Sequence, residues 1–172
     1  MALLLGCAVP LAGSAQQQES AYLRSVAIHF GYTAGEVMML AEWDVPVAEV
    51  PVALTVARDA GVSAAAVMAL RQNGRAWADL LVRYGLHAGR LYVPLDEPPT
   101  EGAGGDAYAA YASRDPGAWR VIRLTDESIV YLVNLEFLSD HLELPPQAVA
   151  DVLTAEGSPV RAHHRLLRAR TP

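Results

Sequence analysis

Glycines at positions 31, 61, 74, 85 and 157 each close a stretch in which apolar residues recur at helical spacing. That punctuation constrains the fold more than any other feature. Apolar residues near i, i+3, i+4 and i+7 place one stripe on a helix, and a glycine just beyond lets the chain leave it. The first such stretch is Ser20 to Phe30 (SAYLRSVAIHF). Thr33-Ala34-Gly35-Glu36 fits a capping box that opens VMMLAEW, and Asp44-Val45-Pro46 stops it. Glu49 to Ala60 follows, with Pro51 tolerated in its first turn, and Ser63 caps AAAVMALRQN. Ala76 to Tyr84 is a further helix, and LYVPL closes this part of the chain. Thr125 caps Asp126 to Leu142, Pro145-Pro146 start QAVADVLTAE, and Ser158-Pro159 start VRAHHRLLRAR. No segment alternates strictly over five residues between turn signals, so the expected fold is all-α, built of helical hairpins.

A chain of 172 residues is long enough for one core without disulfides or a structural metal. Val62 to Gly74 echoes Leu144 to Gly157 with one insertion, which predicts two similar tri-helical halves. The expected organisation is a leader over 1–18, a first helical half over 19–93, a loop or linker over 94–118, and a second half over 119–172. The loop assignment rests on composition. PLDEPPTEGAGGDAYAAYASRDPG holds five of the 19 acidic residues against one arginine, with Tyr108 and Tyr111 able to pin it to the surface.

Met1 to Gln18 carry no charge. MALLLGCAVPLAGSA is apolar and small, and Gly13-Ser14-Ala15 supplies the small residues a signal peptidase needs. It is too short to span a bilayer, which takes about 20 residues. Leu4-Leu5-Gly6-Cys7 also resembles the bacterial lipobox, which would make Cys7 a lipid anchor. No Lys or Arg precedes the apolar run, a departure from both patterns. Export is the expectation, to the periplasm or to the periplasmic side of a membrane. Cys7 is the sole cysteine, so no internal disulfide can form.

Thr55 to Gly74 (TVARDAGVSAAAVMALRQNG) resembles the helix-turn-helix of bacterial repressors, with glycine allowing the turn and serine capping the second helix. DNA binding would need polar side chains near the start of that second helix. Ala64 to Leu70 offers none; only Arg71, Gln72 and Asn73 at the far end can donate. With a net charge of −6, the plainer reading is a packing unit that borrows the turn, and no nucleic-acid partner is expected. The step Gly74-Arg75-Ala76-Trp77 resembles one in uncharacterised secreted helical proteins of high-GC bacteria. The absence of lysine, with all 13 basic residues arginine, agrees with a high-GC genome. No activity comes with that resemblance.

Motifs that carry chemistry are absent: no HExxH, no GxSxG, no phosphate-loop pattern, and too few cysteines for a haem or a cysteine zinc cluster. The histidines are His29, His87, His141, His163 and His164; the adjacent pair points about 100° apart on a helix and cannot chelate one ion. Glu36, Asp126 and Glu127 fall in first helical turns, where they complement the dipole. Trp43, Trp77 and Trp119 flank helix ends, as core or hinge packing would require. No catalytic residue, cofactor or metal is therefore expected. Arg161, Arg165, Arg168 and Arg170 form a basic face on the last helix, suited to an acidic protein surface or anionic headgroups. The leading expectation is a non-enzymatic periplasmic or surface protein acting through protein contacts, an accessory subunit of a membrane-associated complex such as a respiratory or photosynthetic assembly. The alternatives are a small-ligand binder with a pocket between the halves under the 94–117 segment, and a helix-turn-helix regulator.

Overall fold

A computed structural model describes residues 11–170, with side chains from residue 15. Among these residues every regular element is a helix, so the fold is all-α. The α-helices are α1 (Leu11–Phe30), α2 (Ala34–Ala41), α3 (Val50–Ala60), α4 (Ala64–Gln72), α5 (Trp77–Arg83), α6 (Gly102–Ala112), α7 (Asp126–Leu142), α8 (Pro146–Glu156) and α9 (Pro159–Arg170). Short 3-10 turns occupy Val47–Glu49, Ala88–Leu91 and Pro116–Val121. No described helix is long and apolar enough to cross a membrane.

The stops and starts follow from local chemistry. Thr33 and Glu36 complete a reciprocal capping box at α2, and the Ser63 and Thr125 hydroxyls accept the N–H of Ala66 and Ser128 at α4 and α7. Gly61, at φ 67, turns the chain out of α3 in the left-handed region. Glu143 does the same after α7, at φ 51, with the strain a side chain brings there. Both α3 and α7 thus end at a left-handed residue and lead into a short helix, but only α4 opens on a side-chain cap; α8 starts from Pro145 without one. Replacing Glu143 with glycine is expected to raise stability by about 0.5–1 kcal/mol, read from urea unfolding followed by circular dichroism.

Helix α7 is the hub. Ile129, Leu132, Leu135, Phe137 and Leu138 are all buried on it, and it packs against α1, α3, α5, α6, α8 and α9. Both parts of the chain share one core. Asn134, wholly buried on α7, ties three elements: it accepts the Tyr22 hydroxyl of α1, and its amide donates to the Ala48 carbonyl at 3.0 Å and to Val130 at 2.8 Å.

The 94–118 segment corrects the expectation of a loop. Residues 102–112 form α6, and Pro116–Val121 is a 3-10 turn. Its tyrosines do tie it to the rest of the fold. Tyr108 and Tyr111 are buried and donate to the carbonyls of Val93 (2.5 Å) and Ala88 (2.7 Å). Both meet the Tyr92 ring edge-to-face, and Tyr92 in turn meets Trp119 at 4.3 Å between ring centres. Glycine is a poor helix former, about 1 kcal/mol worse than alanine. Here it is required by packing. A Cβ on Gly105 would lie 2.5 Å from the Thr100 carbonyl carbon and 2.7 Å from its oxygen. Backbone cannot yield there as a side chain could. Gly105→Ala is therefore expected to cost about 1–3 kcal/mol despite the better propensity of alanine, measured by the same unfolding assay.

Candidate functional site

Glu49 ends the short turn before α3 and is only 7% exposed. A buried carboxylate must be paired and hydrogen-bonded. Arg71, at the end of α4, meets it in a two-pronged contact: Nε to Oε2 at 2.6 Å and Nη2 to Oε1 at 2.9 Å. The same guanidinium donates from Nη1 to Asp126 Oδ2 at 2.6 Å and to the Arg75 carbonyl at 3.0 Å. Trp77 closes the cluster. Its indole donates to Glu49 at 2.8 Å, its backbone N–H donates to Asp126 Oδ1 at 2.7 Å, and Arg71 lies 5.3 Å over its ring. Hydrogen bonding to Glu49, and then the charges of Glu49 and Asp126, raise the Arg71 pKa above its ordinary value. The guanidinium is a permanent positive charge that braces α4, α5, α7 and the 47–49 turn.

This brace forms one wall of a cavity of about 670 Å³, within the size range of small-molecule sites. The Glu101–Gly104 start of α6, Val130 and Tyr131 of α7, Leu153 and Thr154 of α8, and the Gly157–Pro159 turn supply the rest. Tyr131 is 8% exposed, and burial pushes its hydroxyl above the usual phenol range. That hydroxyl makes no hydrogen bond of good geometry, while Thr154 is near enough to ease its ionisation. Gly104 admits the ring: a Cβ there would sit 2.7 Å from Tyr131 Cζ and 2.8 Å from Pro99 Cγ. Four carboxylates line the space, those of Glu49, Glu101, Asp126 and Glu127, against the single Arg71. Glu101 and Glu127 are exposed at its edge.

The sequence expectation is a pocket between the halves under the 94–117 segment, and the cavity meets that segment at Glu101 to Gly104, at the start of α6, where both parts of the chain come together. The Tyr108 and Tyr111 rings, further along α6, pack against Tyr92 and do not line it. Arg71, one of three residues left to contact bases in the helix-turn-helix reading, is held by two carboxylates, and the Asn73 amide donates to the Ala69 carbonyl at 2.7 Å. Glu49 carries no sequence signal as a partner of Arg71, because the residues stand 22 positions apart and Asp126 a further 55 beyond.

Of the candidate arginines, Arg161, Arg165 and Arg168 come together around a shallow hollow of about 280 Å³ with Gln18, Glu156 and His164. Arg170 does not join them; its guanidinium donates to the Leu142 carbonyl at 2.6 Å and caps the end of α7. The lipid-anchor candidate Cys7 lies outside the described residues. Among the histidines, His163 is buried and bonds the Ser25 hydroxyl at 2.9 Å, and His29 and His141 face each other at 6.2 Å beside Phe137. Among the described residues no group of three or more His, Cys, Asp or Glu is arranged to hold a metal ion. No protein-family model, curated protein or solved structure matches this chain.

Proposed function

We propose that this chain is a non-enzymatic binding protein whose ligand is a small, partly apolar molecule carrying a cationic or hydrogen-bond-donating group. One observation carries the reading: a ligand-sized cavity at the meeting point of both parts of the chain, with an apolar floor and a few fixed polar groups. The charge of the lining sets the ligand class. Four carboxylates face one guanidinium, and that guanidinium already spends its donors on protein acceptors. Nile red, a neutral dye, serves as probe. Its fluorescence is expected to rise on binding the wild type, and benzylamine is expected to displace it where benzoate does not. Thr154 is exposed at the edge of the cavity, so Thr154→Trp narrows the space without touching the core. Equal dye binding by that variant, or displacement by benzoate and not by benzylamine, refutes the reading.

A second reading keeps the chain as an exported accessory subunit docking to a protein partner at a membrane. Exposed apolar side chains favour it. Ile28, Tyr32, Met38 and Met39 all fall between the end of α1 and the middle of α2, with Met39 60% exposed. Large apolar side chains left exposed on two helices that pack together suit a contact surface. Purification from native membranes is expected to recover a partner with the wild type and to lose it with Met38→Glu and Met39→Glu combined. Recovery of the wild type as a free monomer contradicts it.

A further inference from the structure

The charges around the cavity are not all committed. Glu49 and Asp126 are both held by Arg71, and both also accept from Trp77. Glu101 and Glu127 are exposed, and neither side chain has an ion pair or hydrogen bond among the described residues. They come from different helices. Glu101 immediately precedes α6, and Glu127 follows Asp126 in the first turn of α7. The Ser128 hydroxyl donates to the Ala103 carbonyl at 3.0 Å and fastens the start of α6 to the start of α7. Two free carboxylates therefore flank one end of the cavity.

The apolar part of the wall begins one turn further along α7. Val130 and Tyr131 stand four residues beyond Asp126 and Glu127, about 6 Å along the helix axis, and Leu153 of α8 lines the same space. Tyr131 is a second, independent mark of a ligand. It is 8% exposed, yet its hydroxyl makes no hydrogen bond of good geometry. A buried polar group left so costs stability, and a ligand that supplies a partner recovers it. The hydroxyl end of the ring lies at Gly104 of α6, and Thr154, at the cavity edge, is its polar neighbour. Burial holds the phenol neutral, able both to donate and to accept.

We propose that the ligand is a hydroxylated primary amine, its ammonium bridging Glu101 and Glu127 and its hydroxyl meeting that of Tyr131 once Thr154 turns aside. A primary ammonium carries three N–H donors, which suits two carboxylates on separate helices; a quaternary ammonium has none. A hydroxyl suits the buried end better than a second ammonium, whose desolvation costs more. The apolar body between the two groups lies over Val130 and Leu153. This assignment rests on the ligand-binding reading and adds to it the ligand's orientation and the residues that select it.

The test is displacement of Nile red from the full chain by four related compounds: tyramine, phenethylamine, phenethyltrimethylammonium and 2-phenylethanol. The wild type is expected to prefer tyramine to phenethylamine about fivefold, and phenethylamine to the quaternary ion and to the alcohol about tenfold. Glu101→Gln and Glu127→Gln are each expected to shrink the preference for phenethylamine over 2-phenylethanol about threefold. Tyr131→Phe is expected to abolish the preference for tyramine; it removes a hydroxyl that holds nothing else in place. Glu42→Gln, exposed at the end of α2 and outside the cavity lining, controls for net charge and is expected to change neither preference. Displacement of the dye with the same preferences in the Glu101, Glu127 and Tyr131 variants as in the wild type overturns this assignment and leaves the ligand-binding reading standing. Equal displacement by phenethylamine and its quaternary analogue also overturns it. No binding of the dye by the wild type overturns both.

Discussion

Replacing Arg71 with methionine is expected to destabilise the protein by about 3–5 kcal/mol, the cost of breaking a buried pair from one side. Methionine keeps most of the apolar stem but leaves Glu49 buried with the Trp77 indole as its remaining side-chain donor. Asp126 loses the same guanidinium, though it keeps the Trp77 backbone N–H. The double variant Arg71→Met with Glu49→Met is expected to recover most of the loss, since an apolar pair of similar volume replaces the buried charges. A surface pair supplies the contrast. Arg123 and Asp79 also pair, but their side chains are 68% and 48% exposed, so Arg123→Met is expected to cost less than about 1 kcal/mol. Urea unfolding at neutral pH reads all three. An Arg71 variant no worse than the Arg123 variant would mean that the brace does not hold α4, α5 and α7 together.

Stability is also expected to fall as the pH drops from about 6.5 to 4. His163 is fully buried on α9, and burial, followed by the charges of His141 and His164, lowers its pKa from 6.5 to about 4. The folded state therefore binds its proton later than the unfolded chain does. The stabilising contribution is complete above the unfolded pKa and is lost as pH falls toward the folded one, about 3 kcal/mol in all. His29 and His141 are lowered as well, chiefly by burial, and act in the same direction. The ring environment explains the sign. His163 Nε2 has the Ser25 hydroxyl, Nδ1 has no hydrogen-bond partner among the described residues, and the Tyr22 ring meets it edge-on at 5.6 Å. No carboxylate contributes to holding the imidazolium. His163→Asn is expected to flatten the pH profile of the unfolding free energy over this range, whatever it does to stability at neutral pH. An unchanged slope would assign the acid sensitivity to other groups.

Local chemistry made most of the helices readable in advance. Thr33, Ser63 and Thr125 cap where a hydroxyl before an apolar stripe should cap, and Gly61 and Gly157 close helices in the left-handed region. Helix α6 was not readable, because its sequence looks flexible for a reason that only the fold reveals. Gly104 and Gly105 are small to admit Tyr131 and the Thr100 backbone, which lie far away or around a turn. The same separation hides the site. Arg71, Glu49 and Asp126 come from three elements, and nothing near any one of them announces the other two. On α9 the spacing of Arg161, Arg165 and Arg168 sufficed to place them together. Arg170 follows the same helix but is claimed by the open carbonyl end of α7, a contact that spacing cannot show.

The most direct test of a binding role for the cavity is native mass spectrometry of the full chain, isolated gently from its own cells beside the Thr154→Trp variant. The wild type is expected to carry a small amine-bearing or donor-rich molecule that dissociates on activation, and the variant to fly bare. A wild type with no bound mass, or a variant that retains the same adduct, would contradict the account.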